Sequence, residues 1–227
     1  MSRFVILCDH ASNHVPPELC HLGLPAAELE RHIAWDIGAA GIATELSRIF
    51  DSPAVLCPTS RLVIDCNRQL NARDLIPEIS DGTVIPGNQG LNEQQVAERI
   101  NRWFHTYHDA VESAIAKLGR PIVLSIHSMT PVLGGTARPW QIALSSFDDR
   151  GLVDPVLYAL RAPGDITVGD NQPYDLDPAV DYSTPFHAMR RGLQYLQVEF
   201  RQDEVQTPAG QVEWAQRFAR AIAQSGL

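Results

Sequence analysis

The sequence predicts a layered α/β domain with a mixed, largely parallel central sheet flanked by helices. Two observations carry that expectation. Short apolar runs of strand type alternate along the chain with segments of helical periodicity. Several of the runs also end in, or contain, residues able to do chemistry, as an open α/β sheet does where its strand ends meet a ligand. The length, 227 residues with 44% hydrophobic and 20% charged, suits one domain over 1–227 with a core that needs no covalent staples.

The strand-type runs are Phe4–Cys8, Ala54–Cys57, Leu62–Asp65, Ile122–Ile126, Gln141–Leu144 and Tyr195–Phe200. Between them, Ile37, Ile42, Leu46 and Ile49 recur near helical spacing, weakened by Gly38 and Gly41. The clearest helix covers 92–118, with Val96, Ile100, Trp103, Phe104, Tyr107, Val111, Ile115 and Leu118 on one face. Asn92 is its expected cap, and Gly119-Arg120-Pro121 stops it. A last helix over about 209–224 turns Val212, Phe218, Ala219 and Ile222 to one side. The stretch 69–91 has Gly, Pro and polar residues without periodicity, and reads equally as a functional loop or a disordered excursion.

Charge narrows the function. Eighteen Lys and Arg stand against 27 Asp and Glu, a net −9, with no Lys/Arg-rich run, which excludes a nucleic-acid footprint. No apolar stretch is long enough to span a bilayer. Lys117 is the only lysine, so nearly every cation is an arginine, the side chain that grips carboxylates with two parallel bonds. Cys8, Cys20, Cys57 and Cys66 have neither C-x-x-C nor zinc-ribbon spacing, and Cys8 and Cys57 lie in apolar runs where Cys acts as a small hydrophobe. Reduced thiols and the lack of a signal-peptide pattern point to the cytoplasm.

Three strand ends concentrate the chemistry. Phe4–Cys8 leads into Asp9, His10 and Ala11; Ile122–Ile126 leads into His127 and Ser128; Tyr195–Phe200 holds Glu199 inside an otherwise apolar run. One such residue is commonly a satisfied core polar group, but three on three strands argue for a site. Two histidines and a carboxylate form a familiar zinc set, and a further carboxylate would serve as base. His105 and His108 have H-x-x-H spacing without the glutamate and i, i+4 geometry of a metalloprotease helix, and read as a wet helix face. No G-x-S-x-G elbow and no Gly-rich nucleotide motif occurs. Cys8 is read as an inward strand residue, not a nucleophile.

SIHSMT at 125–130 resembles the strand-end His-Ser of zinc carboxypeptidases and related acylamino-acid amidohydrolases. QVEFRQD at 197–203 is similar to the strand carrying their general-base glutamate. More closely, the chain resembles the N-formylglutamate amidohydrolase family. The likeness runs through CDHASNHVPPEL at 8–19, HIAWDIGA at 32–39, SRLVIDCNR at 60–68, IHSMTP at 126–131, VGDNQPYD at 168–175 and RRGLQYLQVEFRQD at 190–203. It implies a phosphorylase/hydrolase-like α/β fold and hydrolysis of an N-acyl amino acid, with N-formyl-L-glutamate the leading substrate.

Carried over position by position, the resemblance makes His10 and His127 ligands of a divalent metal, zinc foremost. The carboxypeptidases place a glutamate three residues after the first histidine; Asn13 stands there and supplies no carboxylate, so it is counted with the substrate contacts. Asp36 takes the third ligand position, against the plain alternative of a helix N-cap. Glu199 becomes the general base and acid, against the alternative of a strand carboxylate paired with Arg201 or Arg191. Arg61, Asn67 and Arg68 would hold substrate carboxylates, with Asp65 orienting Arg68, and Arg191 beside Arg190 would add to the positive pocket. His187 would contact the tetrahedral oxyanion. The 69–91 and 131–140 loops are the expected walls of the acyl pocket. Two further readings remain: a non-catalytic relative that binds an anionic acyl amino acid, and a zinc peptidase or amidase acting on another N-acyl or peptide substrate.

Overall fold

The computed structural model describes residues 3–226. Its centre is a six-stranded sheet made of β1 (Phe4–Cys8), β2 (Ala54–Leu56), β3 (Ile122–Met129), β4 (Ile142–Ser145), β5 (Val168–Asp170) and β6 (Tyr195–Arg201), in the order β2-β1-β3-β6-β4-β5. All neighbours are parallel except β6 and β4. The mixed, largely parallel sheet is the one that the alternation of strand and helix patterns predicts.

The strands are buried on both faces, and period-2 alternation divides their side chains between two cores. Phe4, Ile6 and Cys8 of β1 join Leu124 and Ile126 of β3 and Leu196, Val198 and Phe200 of β6 under α1 (Ala39–Phe50), α4 (Val153–Arg161) and α5 (Pro208–Gln224). Val5, Leu7, Val123 and Tyr195 face the opposite core, packed with Phe104, Tyr107, Val111 and Ile115. The same parity decides where the polar residues go. Ser125, His127, Gln197 and Glu199 sit at alternate positions from the apolar residues of β3 and β6, and so share the second face.

The long helical segment predicted over 92–118 consists of α2 (Glu93–Arg99) and α3 (His105–Leu118), joined through a π turn at Ile100–Phe104. Asn92 caps it as expected, in a reciprocal capping box with Gln95. At the other end Gly119 takes φ 81°. In α5 the buried side is Trp214, Ala215, Phe218, Ala219 and Ile222, whereas Val212 is exposed. The helix α4 and strand β5 lie in a stretch where the sequence offered no clear pattern.

Leu62–Asp65 is not a strand. The segment turns, with Leu62, Val63 and Ile64 buried. Its carbonyls are met by side chains in place of a neighbouring strand: Asn88 donates to Leu62 O at 2.8 Å and Arg99 to Val63 O at 2.9 Å. Nor is 69–91 a disordered excursion. It carries a small hairpin, Ile79–Ser80 with Thr83–Val84, and a 3₁₀ turn at Pro86–Asn88. Arg99 also donates to Asn88 Oδ1 and Gly87 O, which ties that loop to α2. Among the described residues no helix is long and apolar enough to cross a membrane.

Candidate metal and amide-hydrolysis site

Three connecting segments meet at the carboxyl ends of β1, β3 and β6. Asp36 N donates to His10 O at 2.9 Å, which seats the 30–36 loop on the end of β1. Ser60 N donates to His14 O and Arg61 N to Ala34 O, binding the 60–68 turn to both. Gly38, at φ 85°, lets the chain enter α1 directly after Asp36; a Cβ there would lie 2.3 Å from Val205 O. Gly38, not Asp36, stands at the N-cap position, and the Asp36 side chain is turned inward.

The result is a buried cluster. Asp36 Oδ2 lies 3.3 Å from His10 Nδ1 and 3.0 Å from His127 Nδ1, and receives Ser128 N at 3.3 Å. One donor atom from each of His10, Asp36 and His127 falls within 4.8 Å of the others, a grouping able to hold a metal ion. Both imidazoles have their far nitrogen engaged. His10 Nε2 meets Asp65 Oδ1 at 2.7 Å; His127 Nε2 meets Ser125 Oγ at 3.0 Å, with Asp9 Oδ2 3.5 Å away. Such partners at Nε2 leave Nδ1, which faces Asp36, as the nitrogen open to a metal ion. The donor set thus fits a small divalent ion of the zinc class, which takes nitrogen and carboxylate oxygen together.

The charges are arranged in alternation. Burial and the Arg61 guanidinium oppose a proton on His10, but Asp65 and Asp36 outweigh them and bring its pKa to about 10. Burial would raise the Asp36 carboxyl; His10 and His127 hold it well below the usual range instead. Asp65 is likewise held down, against its burial, by Arg61 and His10. Arg61 donates to Asp65 Oδ2 from Nε at 3.0 Å and Nη2 at 2.6 Å, and reaches Asp36 Oδ1 at 3.4 Å.

Glu199 stands beside His127 in the β6–β3 register. Burial, reinforced by Asp36 and opposed by His127, pushes its carboxyl up to about 7. It forms no ion pair among the described residues. Arg201 turns to Asp203 and Glu204, and Arg191 to Glu112. A carboxyl poised in this way is suited to take and return a proton near neutral pH.

His10, Asp36, His127 and Glu199 open onto a cleft of about 320 Å³ that Arg61, Asn67 and Arg68 also line. Arg68 donates to the exposed Asp74 at 2.7 Å and to Asn67 O. The Asn67 side chain is committed to the protein itself, donating to Asp181 and accepting from Tyr182 N and Ser183 N. Asp65 braces Arg61 and His10 more directly than Arg68.

Three expected site residues lie off the cleft. Asn13 donates to Leu29 O at 3.0 Å, and Arg191 is tied to Glu112 on α3. His187 is wholly buried in the core behind the site, where its Nε2 lies 2.9 Å from His108 Nδ1. His108, expected on a wet helix face, is buried as well; only His105 is exposed. No residue of 69–91 lines the cleft. Its walls come from Met129, Thr130, Leu133 and Arg138 together with residues of 173–181, the two groups meeting where Arg138 donates to Tyr174 Oη. Asp9, to which the strand-end pattern assigns no role, is buried beside the cluster. It anchors the floor, accepting from Tyr107 at 2.6 Å and Ser183 at 2.8 Å.

The buried histidine pair has a determinate proton order. Cys66 O can only accept, so His108 Nε2, 3.0 Å away, donates to it. His108 Nδ1 then accepts from His187 Nε2, and His187 Nδ1, without a hydrogen-bond partner, faces Glu112 Oε1 at 3.5 Å. Burial lowers both pKa values to about 4. At His108 and His187 the unfolded chain therefore binds more protons than the folded one between about pH 6.5 and 4, so the pair's contribution to stability falls as the pH drops through that window, while Glu199 and His10, raised in the folded state, contribute with the opposite sign. Between pH 7 and pH 5 the urea midpoint of the wild type should therefore drop relative to that of His187→Gln. An equal change in the two proteins would refute the assignment.

The family model of N-formylglutamate amidohydrolase matches residues 2–205. The chain belongs to the N-formylglutamate amidohydrolase family. The match spans every residue of the cluster and of the cleft. The crystal structure of gene product Atu2144 from Agrobacterium tumefaciens is similar to this chain at 32% identity and TM-score 0.94, covering 99% of this chain and 90% of that one. An N-formylglutamate amidohydrolase from Ralstonia eutropha JMP134 shares the fold at 20% identity and TM-score 0.62, covering 97% and 91%. Among curated proteins none matches the chain.

Proposed function

We propose that this family member is a metal-dependent amidohydrolase that cleaves the amide of an N-acyl amino acid, foremost N-formyl-L-glutamate to formate and L-glutamate. The observation that carries the reading is the placement of one donor atom each from His10, Asp36 and His127 within 4.8 Å, in a cleft that also holds Glu199. His10, Asp36 and His127 would hold the ion, zinc by the chemistry of the donors. When bound, it would polarise the acyl carbonyl and make a water in the cleft more acidic.

The remaining work falls to the chain's own residues. Glu199 takes a proton from the attacking water as the new C–O bond forms. The Glu199 carboxylic acid returns that proton to the amide nitrogen, and the C–N bond breaks to release the acid and the amine. Arg68, with a guanidinium edge on the cleft, would hold a substrate carboxylate. Arg61 balances Asp65 and Asp36, which keeps two buried carboxylates tolerable next to the ligands. The substrate is a small anionic metabolite, and the cytoplasm is the proposed place of its hydrolysis.

The test is formate release from N-formyl-L-glutamate by zinc-loaded protein, run beside N-acetyl-L-glutamate and a short peptide. Formate release in preference to the other two cleavages supports the reading. Turnover of the peptide alone favours a peptidase, and binding of the formyl compound without turnover favours a non-catalytic relative.

A further inference from the structure

Five carboxylates line the cleft: Asp36, Asp175, Asp177, Asp181 and Glu199. A substrate with two carboxylates enters such a place only if it meets a cation whose charge is not already spent. Arg61 is spent on Asp65 and Asp36, and Arg68 is shared with Asp74 and, at 3.9 Å, Asp181. Arg138 differs from both. It is 7% exposed, lines the cleft, and forms no ion pair among the described residues.

Its guanidinium is nevertheless held in place. Nη2 donates to Tyr174 Oη at 2.6 Å and Nη1 reaches Thr130 O at 3.4 Å, while the group lies 4.9 Å over the Tyr174 ring. The backbone is pinned too, Arg138 N donating to Pro131 O at 2.8 Å and Arg201 reaching Arg138 O at 3.3 Å. A guanidinium has five N–H donors, so most remain for a ligand. Nε makes no hydrogen bond and is not among the buried atoms that lack a partner, so it keeps some exposure in a residue that lines the cleft.

We propose that Arg138 is the specificity residue of this cleft, clamping the side-chain carboxylate of an acidic acyl amino acid. The proposal rests on the amide-hydrolysis reading for its substrate. It divides the two carboxylates between two arginines of the cleft. Arg68 takes the one next to the scissile amide; Arg138, on the loop after β3, takes the distal one. A planar fork stacked on a phenol ring loses little freedom when it binds a carboxylate with two bonds. The neutral side-chain amide of an acyl glutamine cannot form the same charged pair.

The experiment compares N-formyl-L-glutamate with N-formyl-L-glutamine in the wild type, Arg138→Met and Arg138→Lys, and measures glutarate binding by calorimetry in the same three proteins. The expected result in Arg138→Met is a loss of about a hundredfold in kcat/KM on the glutamate substrate, mostly in KM, with the glutamine substrate changed less than about threefold. Arg138→Lys should recover part of the preference. An equal loss on both substrates, or an unchanged preference, overturns the proposal. If the wild type cleaves neither compound, glutarate binding decides: binding lost in Arg138→Met keeps the clamp while the reaction reading fails, and binding that is absent or unaltered overturns the clamp as well.

Discussion

Replacing Glu199 by glutamine should lower kcat for formate release by about 10²–10⁴, the range that a positioned general acid–base contributes. Glutamine keeps the shape and a hydrogen-bonding oxygen but cannot carry the proton from water to the amide nitrogen. Glu199 is neither a member of the donor cluster nor in an ion pair, so the variant should fold normally and retain its metal. The decisive pair of measurements is metal content by atomic emission and single-turnover formate release. Full metal occupancy with turnover near the wild-type rate would remove Glu199 from the mechanism.

The second large effect is expected at Asp36. Asp36→Asn leaves a neutral oxygen between two imidazoles and takes away the carboxylate that completes the donor set. Metal content should fall close to zero and turnover by about three orders of magnitude or more, since Lewis-acid stabilisation of the reacting carbonyl is worth several kcal/mol. Chelation of the wild type should reproduce the loss, and added zinc should reverse it in the wild type alone. Asp65→Asn gives a graded comparison. Asp65 orients His10 from its far nitrogen, so its removal should weaken metal affinity by only about 10–100-fold. Equal metal content in wild type and Asp36→Asn would rule out Asp36 as a ligand.

The parts of this molecule that could be read in the sequence are those written as a local period. The apolar runs of β1, β3 and β6 predict the sheet, and the polar residues that end or interrupt them mark the positions of His10, His127 and Glu199. The cap and periodicity of 92–118 announce α2 and α3 in the same way. The misreadings share a different cause. Leu62–Asp65 has strand composition, yet Asn88 and Arg99, far along the chain, supply the bonds that a strand would have made. His108 reads as part of a wet helix face and His187 as an oxyanion contact until their buried 2.9 Å contact is seen. Arg138 carries no motif, and its lack of an ion pair among the described residues exists only in three dimensions. For Asp36 the residues alone could not choose between an N-cap and a ligand; the chain enters α1 through Gly38, which frees the carboxylate to turn inward.

The strand order has a consequence for how the protein is made. β6 is the last strand in the chain, but it lies between β3 and β4, so β4 and β5 have no place in the sheet until residues 195–201 arrive. During synthesis β1, β2 and β3 can pair while the far edge of β3 still awaits its neighbour. By then His10, Asp36 and His127 have all been translated, whereas Glu199 has not. The order of the strands thus separates two moments in the life of the nascent chain: the residues proposed to hold the ion come first, and the proposed base, Glu199, is inserted by the strand that completes the sheet.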